Sequence, residues 1–293
     1  MGILALVAVL IAAVAMATSP ASGPASPSAG RPAAGPGQTA PPQTSGPARP
    51  QPARPAGGAA GRATIRRLIS LGLPIYCGGP HGNEVAFTFD DGPGVYTHYA
   101  LRKLAQAGER VTWFDVGKSI DAWPGYLPRE LALGAIGDHT YTHPELPALP
   151  PAQISWQLQA TRQKIQAQVG QAVDLWRPPY ELHDAATDRI ARGLGLLEIL
   201  WNIDSQDSVG ADWARIITNV EAGLRPGAII LMHENHGQTI RALTTLLPEL
   251  RRRHLRSVSI PELMASDPPS NAQVRLGRHG CAGRFAVAPG SGG

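Results

Sequence analysis

The sequence predicts an α/β fold in which alternating strands and helices form a closed or nearly closed barrel. Short apolar runs alternate with amphipathic segments along residues 64–293, and six or seven such units occupy about 200 residues. Strands that alternate with helices indicate βα units and a parallel sheet. So many units in so short a span favour a barrel over an open sheet.

The individual elements follow in order along the chain. The apolar runs predict strands at residues 85–89, 111–117, 135–139, 173–179, 196–204 and 227–233, with a last run at 255–260. The amphipathic segments predict helices at residues 99–108, 127–134, 150–170, 184–195, 211–224 and 238–253. Gly108 and Gly170 are typical helix ends, and Pro150 and Pro151 are typical of a helix start.

Residues 3–17 form a continuous apolar stretch that ends in Ala15, Met16 and Ala17. Such a stretch is typical of a secretory signal, and it is shorter than the roughly 20 residues that a membrane span needs. No Lys or Arg precedes it, which leaves an uncleaved membrane anchor as the alternative. We expect a signal peptide at residues 1–17 and a secreted, extracellular protein, anchored to the membrane if the signal is not cleaved.

Residues 18–63 are rich in Pro, Ala, Gly and Ser, and they contain four arginines but no acid. This composition predicts a disordered linker, because it cannot bury enough apolar surface to fold. Of the 26 Lys and Arg, 22 remain to balance the 22 Asp and Glu of the predicted domain at residues 64–293. The domain is therefore neutral, which argues against nucleic acid as a partner. The linker's arginines are compatible with loose association with an anionic cell wall.

The two cysteines, Cys77 and Cys281, flank the predicted domain. Because disulfides persist in exported proteins, we expect a bridge between them, with two free thiols as the alternative. A loop of about 200 residues would gain about 4 to 5 kcal/mol in the chain-entropy model. The CxxC and CxxH spacings of thiolate zinc sites are absent, which argues against a cysteine-held metal.

Polar residues stand at the carboxyl-terminal ends of the predicted strands: Asp90, Asp91, His139, Arg177, Asp204, Asp207 and His233. In parallel α/β barrels this rim carries the active site. Two adjacent aspartates disfavour each other's charge, so the Asp90–Asp91 pair predicts a nearby cation. His139 and His143 are four residues apart in "HTYTH", and both rings reach one ion if this turn is helical. Two histidines and one aspartate suit a borderline divalent cation.

The motifs "TFDDGP", "HTYTH", "RPPY", "DSQD" and "LMH" resemble, in this order, those of polysaccharide deacetylases, the NodB-homology domain of carbohydrate esterase family 4. The resemblance covers about Val85 to Leu263. It implies a distorted (β/α)7 barrel, which agrees with the number of βα units. It also implies one divalent metal ion, zinc in the first place, with cobalt or nickel as alternatives.

The resemblance further implies a role for each motif residue. Asp91, His139 and His143 would hold the metal, and Asp90 would be the general base, oriented by Arg177. The backbone N–H of Tyr180 would help to stabilise the oxyanion. His233 would be the general acid, with Asp207 as its carboxylate partner.

Two positions depart from the family pattern. Ser208 follows "DSQD" where tryptophan is usual, and Glu181 follows "RPPY" where glycine is usual. Both changes affect the walls of the sugar site and leave the catalytic groups in place. They bear on substrate preference.

These observations predict a metal-dependent enzyme that removes N-acetyl groups from an N-acetylglucosamine-containing polysaccharide such as peptidoglycan or chitin. An O-deacetylase of acetylated xylan is the nearest alternative, because the same groups cleave esters and amides. A non-catalytic glycan-binding barrel is a second alternative, although all of the expected catalytic residues are present. We expect a monomer whose partner is the N-acetylated glycan.

Overall fold

The computed structural model describes residues 57–281, so the predicted signal peptide and most of the predicted linker lie outside the described residues. The strands are β1 Glu84–Gly92, β2 Val111–Asp115, β3 Gly134–Asp138, β4 Leu175–Trp176, β5 Leu197–Glu198, β6 Ile203–Asp204, β7 Ile229–His233 and β8 Arg256–Ser257. The helices are α1 Gly58–Leu71, α2 Thr97–Ala107, α3 Gly117–Ala122, α4 Leu127–Ala132, α5 Pro151–Val169, α6 Ala185–Gly193, α7 Trp213–Gly223, α8 Gly237–Arg252, α9 Ile260–Ser266 and α10 Asn271–Arg275.

Seven parallel strands form one sheet in the order β5-β4-β3-β2-β1-β7-β6, and β8 pairs with the start of β1. The sheet curls into a half-barrel with helices outside, so the α/β fold class and the distorted barrel predicted from the sequence are confirmed. Gly108 and Gly170 end α2 and α5 in left-handed conformations, as expected for glycine at a helix end.

The predicted strand at residues 196–204 is wrong as a single element. The structure divides it into β5, which pairs with β4, and β6, which pairs with β7. These two strands are the opposite edges of the curled sheet, and the residues between them cross its opening. Ile199, Leu200 and Trp201 are nevertheless buried, which is why the run is apolar throughout.

Side chains alternate between two cores along the central strands. Phe87 and Phe89 of β1 pack outward against the surrounding helices, whereas Ala86 points into the half-barrel. Ile65 of α1 packs in the same inner core. Both faces of the central strands are therefore covered, as their continuous apolar sequences require.

Helix α1 covers the amino-terminal edge of the sheet. Arg62 and Ile65 line a cavity together with Gly134 and Ala135, where β3 begins. Gly61 packs on the carbonyl group of Pro261, and any larger side chain there would collide with it. The prediction of a disordered linker up to residue 63 is therefore wrong for residues 58–63, because this glycine-containing segment is held as a helix by its packing.

A disulfide joins Cys77 and Cys281, the pairing expected from the sequence. It links the segment before β1 to the short turn that follows α10, 204 residues apart in sequence.

Candidate active site

The polar residues at the strand ends surround one groove at the carboxyl-terminal rim. Asp90 and Asp91 end β1, His233 ends β7, and His139 and Arg177 directly follow β3 and β4. The groove is lined by Asp90, Asp91, His139, His143, Pro178, Tyr180, Glu181, Trp201, Asp204, Ser208, Val209, Leu231 and His233. Arg177 and Asp207 are buried behind its wall. The structure thus brings the sequence-predicted residues together at one site.

Asp91, His139 and His143 direct one ligand atom each at a common position. The Nε2 atoms of the two histidines are 3.2 Å apart. Asp91 Oδ1 lies 3.5 Å from Nε2 of His139 and 3.3 Å from Nε2 of His143. The loop between the histidines is not helical, so the simple helical geometry considered for their spacing is wrong. Left-handed backbone angles at Thr140 (φ 66°) and His143 (φ 59°) bend it instead.

This donor set fits a divalent cation. His139 Nδ1 lies 2.8 Å from the carbonyl oxygen of Arg177, and it must carry the proton to donate to that oxygen. Burial lowers the pKa of His139 to about 3, so the ring is neutral and its Nε2 has a free electron pair. That pair faces the His143 ring nitrogen and the Asp91 carboxylate, two further electron-pair donors. Such a set of imidazole and carboxylate donors suits zinc and related ions.

Asp90 and Arg177 form a buried ion pair beside these residues. Arg177 Nη1 donates to Asp90 Oδ1 at 2.7 Å and to Thr88 Oγ1 at 2.8 Å. Its other nitrogens donate to the carbonyl groups of Ile199 and Leu200. Burial raises the pKa of Asp90, and the positive charge of Arg177 only partly offsets this effect.

The guanidinium of Arg177 also lies over two aromatic rings. Its central carbon lies 4.2 Å from the ring centre of Phe114 and 5.4 Å from that of Trp201. Cations are attracted to aromatic faces, and this attraction is stronger where water is excluded. Arg177 is therefore fixed in position while it contacts Asp90.

His233 and Asp207 form a second polar pair across the groove from the histidine loop. His233 Nδ1 lies 2.8 Å from Asp207 Oδ1, and the His233 backbone N–H donates to Asp207 Oδ2 at 2.7 Å. Burial lowers the pKa of His233, but the hydrogen bond and negative charge of Asp207 outweigh it and raise that pKa to about 9. In the sheet, His233 is the direct neighbour of Asp90.

Tyr180 lies at the edge of the groove and is 62% exposed. Its ring is 4.6 Å from that of His143 in an edge-to-face arrangement. Both Tyr180 (φ 61°) and Glu181 (φ 59°) have left-handed backbone angles, which are unfavourable for residues other than glycine. This turn follows Arg177 directly in sequence.

The two departures from the family pattern both line the groove. Glu181 forms an ion pair with Arg278 of the C-terminal turn. The backbone N–H of Ser208 donates to Asp207, and the next residue, Val209, is 80% exposed. The Glu181–Arg278 ion pair therefore lies where the family usually has glycine. Ser208 and Val209 lie where the family usually has tryptophan.

Two threonines support the site and were missed in the sequence. Thr88 accepts from Arg177, and Thr239 Oγ1 donates to Asp207 Oδ2 at 2.5 Å. Both residues are fully buried. A hydroxyl group within an apolar run requires a hydrogen-bond partner, so the threonine within "AFTF" was a usable signal.

Three buried carboxyl groups lie behind β1, from Asp115, Glu130 and Glu234. One oxygen of each lies within 4.8 Å of the others, and Gly92 packs so closely that a side chain there would collide with Glu234. All six oxygens are buried, and the carboxyl groups of Asp115 and Glu130 are close enough to share a proton. Burial raises the pKa of Asp115 to about 7, and burial together with repulsion from the neighbouring carboxylates raises the pKa values of Glu130 and Glu234 well above the usual value for glutamate.

Replacing Asp115 by asparagine is expected to remove a pH dependence of stability. Between about pH 4 and 7 the folded protein keeps a proton on Asp115 that the unfolded chain has lost, so stability declines as the pH rises. Over this interval the free energy of unfolding of the wild type should fall by about 3 to 4 kcal/mol relative to that of the variant, at about 1.4 kcal/mol per pKa unit. Denaturant unfolding at several pH values measures the difference.

Asp121 provides the control for this experiment. It is exposed, and its hydrogen bond with Lys164 lowers its pKa, so Asp121→Asn should change the pH dependence slightly and with the opposite sign. Parallel stability curves for the wild type and Asp115→Asn would contradict a shifted Asp115.

Known proteins are similar to this chain in sequence and in fold. The sequence model of the polysaccharide deacetylase family matches residues 78–199. The chain is 34% identical over 173 residues to a bifunctional xylanase/xylan deacetylase of Cellvibrio japonicus, covering 58% of this chain and 26% of that protein. It is 31% identical over 197 residues to a chitooligosaccharide deacetylase of Bradyrhizobium sp. (strain ANU 289), covering 61% of this chain and 90% of that protein.

A solved structure has a similar fold. The peptidoglycan N-acetylglucosamine deacetylase Bc1960 superposes with a TM-score of 0.63 at 28% identity, over 65% of this chain and 92% of that chain. The chain spans only 26% to 38% of the length of the first curated relatives that it matches. Its likeness to the chitooligosaccharide deacetylase extends over nearly all of that protein. The chain therefore belongs to the polysaccharide deacetylase family, the NodB-homology group of carbohydrate esterase family 4.

Proposed function

We propose that the chain is a metal-dependent hydrolase that removes N-acetyl groups from a polysaccharide containing N-acetylglucosamine. The observation that carries this proposal is the convergence of ligand atoms from Asp91, His139 and His143 beside the carboxylate of Asp90. His233 is the neighbour of Asp90 on the next strand, so a base and an acid flank the same groove. Hydrolysis of an amide needs both.

Asp91, His139 and His143 would hold one divalent ion, with zinc the first choice and cobalt or nickel as alternatives. When bound, such an ion polarises a carbonyl group and lowers the pKa of water toward 7. Asp90 accepts the proton of the attacking water. Its pKa, raised by burial, makes it a stronger base than an exposed aspartate, and Arg177 fixes the direction of its oxygens.

The water oxygen adds to the carbonyl carbon of the acetamide, and the C–N bond then breaks to give acetate and a free sugar amine. The amine leaves only when its nitrogen is protonated, and His233 donates that proton. Asp207 keeps His233 charged for this step. The backbone N–H of Tyr180 would donate to the carbonyl oxygen as negative charge develops there.

The groove is bordered by the exposed side chains of Tyr180 and Val209, which is compatible with a polymer as substrate. Relatives named for chitooligosaccharide and peptidoglycan support an N-acetylglucosamine chain of the chitin or peptidoglycan type. The relative named as a xylan deacetylase supports acetylated xylan as the second candidate. Ser208 and Val209 give the groove a smaller wall than the family's tryptophan would, so substrate choice must be measured.

Acetate release tests the proposal directly. The full chain is incubated with N-acetylglucosamine oligomers, peptidoglycan and acetylated xylan, before and after treatment with a chelator and re-addition of zinc or cobalt. We expect release from the first two substrates, lost with chelator and restored by metal. Release of acetate from acetylated xylan alone would show that the enzyme cleaves an acetate ester and not an N-acetyl amide. Release that is insensitive to chelation would contradict metal dependence.

Replacing Asp207 by asparagine is expected to move the alkaline limb of the pH–rate profile to lower pH. His233 must be protonated to donate, so the wild-type kcat/KM should fall as the pH rises through about 9. Loss of the Asp207 charge lowers the pKa of His233 and therefore shifts this fall downward. Profiles of kcat/KM from about pH 6 to 10.5 measure the shift.

Asp212→Asn is the matched control, because Asp212 caps α7 at the surface and asparagine caps a helix equally well. Its alkaline limb should coincide with that of the wild type. An unshifted limb in Asp207→Asn would assign the alkaline pKa to another group.

The proposal includes export of the chain to the glycan. The disulfide between Cys77 and Cys281 is compatible with an oxidising compartment. None of the helices between residues 57 and 281 combines the length and the apolar character that a membrane span requires. Secretion, loose association with the cell wall and a monomeric state complete the proposal.

A further inference from the structure

A second group of ligand-type side chains lies behind the turn that carries Tyr180. It consists of His183, which follows this turn, Asp188 in the first turn of α6, and Glu198 at the end of β5, and we refer to it as the His183 cluster. His183 Nδ1 lies 3.0 Å from Asp188 Oδ1 and 3.3 Å from Glu198 Oε1. These separations resemble the 3.2 to 3.5 Å between the ligand atoms of Asp91, His139 and His143.

Hydrogen bonding alone does not satisfy the His183 cluster. A ring nitrogen carries at most one proton, and at Nδ1 that proton is directed to Asp188. Glu198 is only 6% exposed, and its Oε1 is buried, faces the same nitrogen and has no hydrogen-bond partner. Two carboxyl groups therefore converge on one imidazole nitrogen, and one of them is left without a donor.

The cluster is also accessible to solvent. The side chains of His183 and Asp188 are 22% and 28% exposed, so an ion can enter from solvent and keep water ligands on that side. Burial raises the pKa of Glu198 to about 8, so near neutral pH this carboxyl group keeps a proton that a bound cation would displace. A buried carboxylate oxygen without a donor is costly unless a cation lies beside it.

We propose that His183, Asp188 and Glu198 form a second divalent-cation site, distinct from the one at Asp91, His139 and His143. One imidazole and two carboxylates, completed by water, suit zinc, manganese or cobalt. The ion ties the turn at Pro179–Glu181 to α6 and β5. Because Tyr180 and Glu181 hold unfavourable backbone angles two to three residues before His183, this tie stabilises the turn beside the groove.

Zinc stoichiometry tests the site with a readout independent of activity. The full chain is dialysed against buffered zinc, and bound metal is measured by mass spectrometry in the wild type, His183→Gln, Asp91→Asn/His143→Ala and the triple variant. We expect two ions in the wild type, one in each of the next two proteins and none in the triple variant. Zinc should raise the Tm of Asp91→Asn/His143→Ala by several degrees and leave that of the triple variant unchanged.

Two further variants make the result decisive. His81→Gln removes an exposed histidine that lies 3.4 Å from one aspartate, Asp267, and this control should retain two ions. Glu198→Gln keeps the side-chain shape and replaces His183→Gln if that variant fails to fold by circular dichroism. A folded Asp91→Asn/His143→Ala protein that binds no zinc and shows no rise in Tm would overturn the site, and the cluster would then hold a proton instead.

Discussion

Replacing Asp90 by asparagine is expected to lower kcat for acetate release by about 100- to 10,000-fold, the usual contribution of a general base. Asparagine has nearly the same shape and still accepts a hydrogen bond from Arg177, but it cannot take a proton from water. The ligand atoms of Asp91, His139 and His143 are unchanged, so the variant should still bind zinc. Steady-state kinetics and metal analysis on the same preparation measure both effects.

Asp91→Asn is the matched comparison, because it makes the same chemical change one residue along β1. It should lose zinc affinity at the rim, and excess zinc should partly restore its rate. Full activity of Asp90→Asn, or rescue of that variant by zinc, would show that the roles of the two aspartates are not divided as proposed.

Replacing Arg177 by methionine is expected to lower the free energy of unfolding by about 3 to 5 kcal/mol, the cost of leaving one partner of a buried ion pair uncompensated. Asp90 would lose its charged partner, and the carbonyl groups of Ile199 and Leu200 would lose their donors. Denaturant unfolding measures the effect.

The double variant Asp90→Asn/Arg177→Met should recover part of this loss, because no carboxylate is then left without a partner. Lys164→Met serves as the surface control, since its partner Asp121 is 47% exposed and loss of this pair should cost at most about 1 kcal/mol. Equal losses of unfolding free energy in the single and double variants would show that the cost comes from the hydrogen bonds to the carbonyl groups of Ile199 and Leu200 and not from the ion pair.

The sequence predicted the rim of the site well because each motif follows an apolar strand. Asp90, His139, Arg177 and His233 follow runs whose burial is evident from composition, and parallel strands bring their carboxyl ends to one edge. For these residues, the apolar run that precedes each of them in the sequence was enough to predict a position at the rim.

The sequence was less informative where an element depends on distant packing. The run of residues 196–204 crosses the opening of the sheet, but its sequence does not show this. Ile199, Leu200 and Trp201 are buried within the crossing, so the run is as apolar as a single strand would be. Helix α1 was missed because Gly61 has a weak helix propensity, and its contact with Pro261 is 200 residues away. The His183 cluster likewise joins a loop, a helix and a strand that no local pattern connects.

The position of α1 determines the side of the domain on which the chain enters. This helix lies at the amino-terminal edge of the strands, and Asp90, His139 and His233 lie at the carboxyl-terminal edge. The chain therefore enters α1 on the face opposite the groove. A fusion partner or affinity tag placed at this end would leave the rim open to substrate.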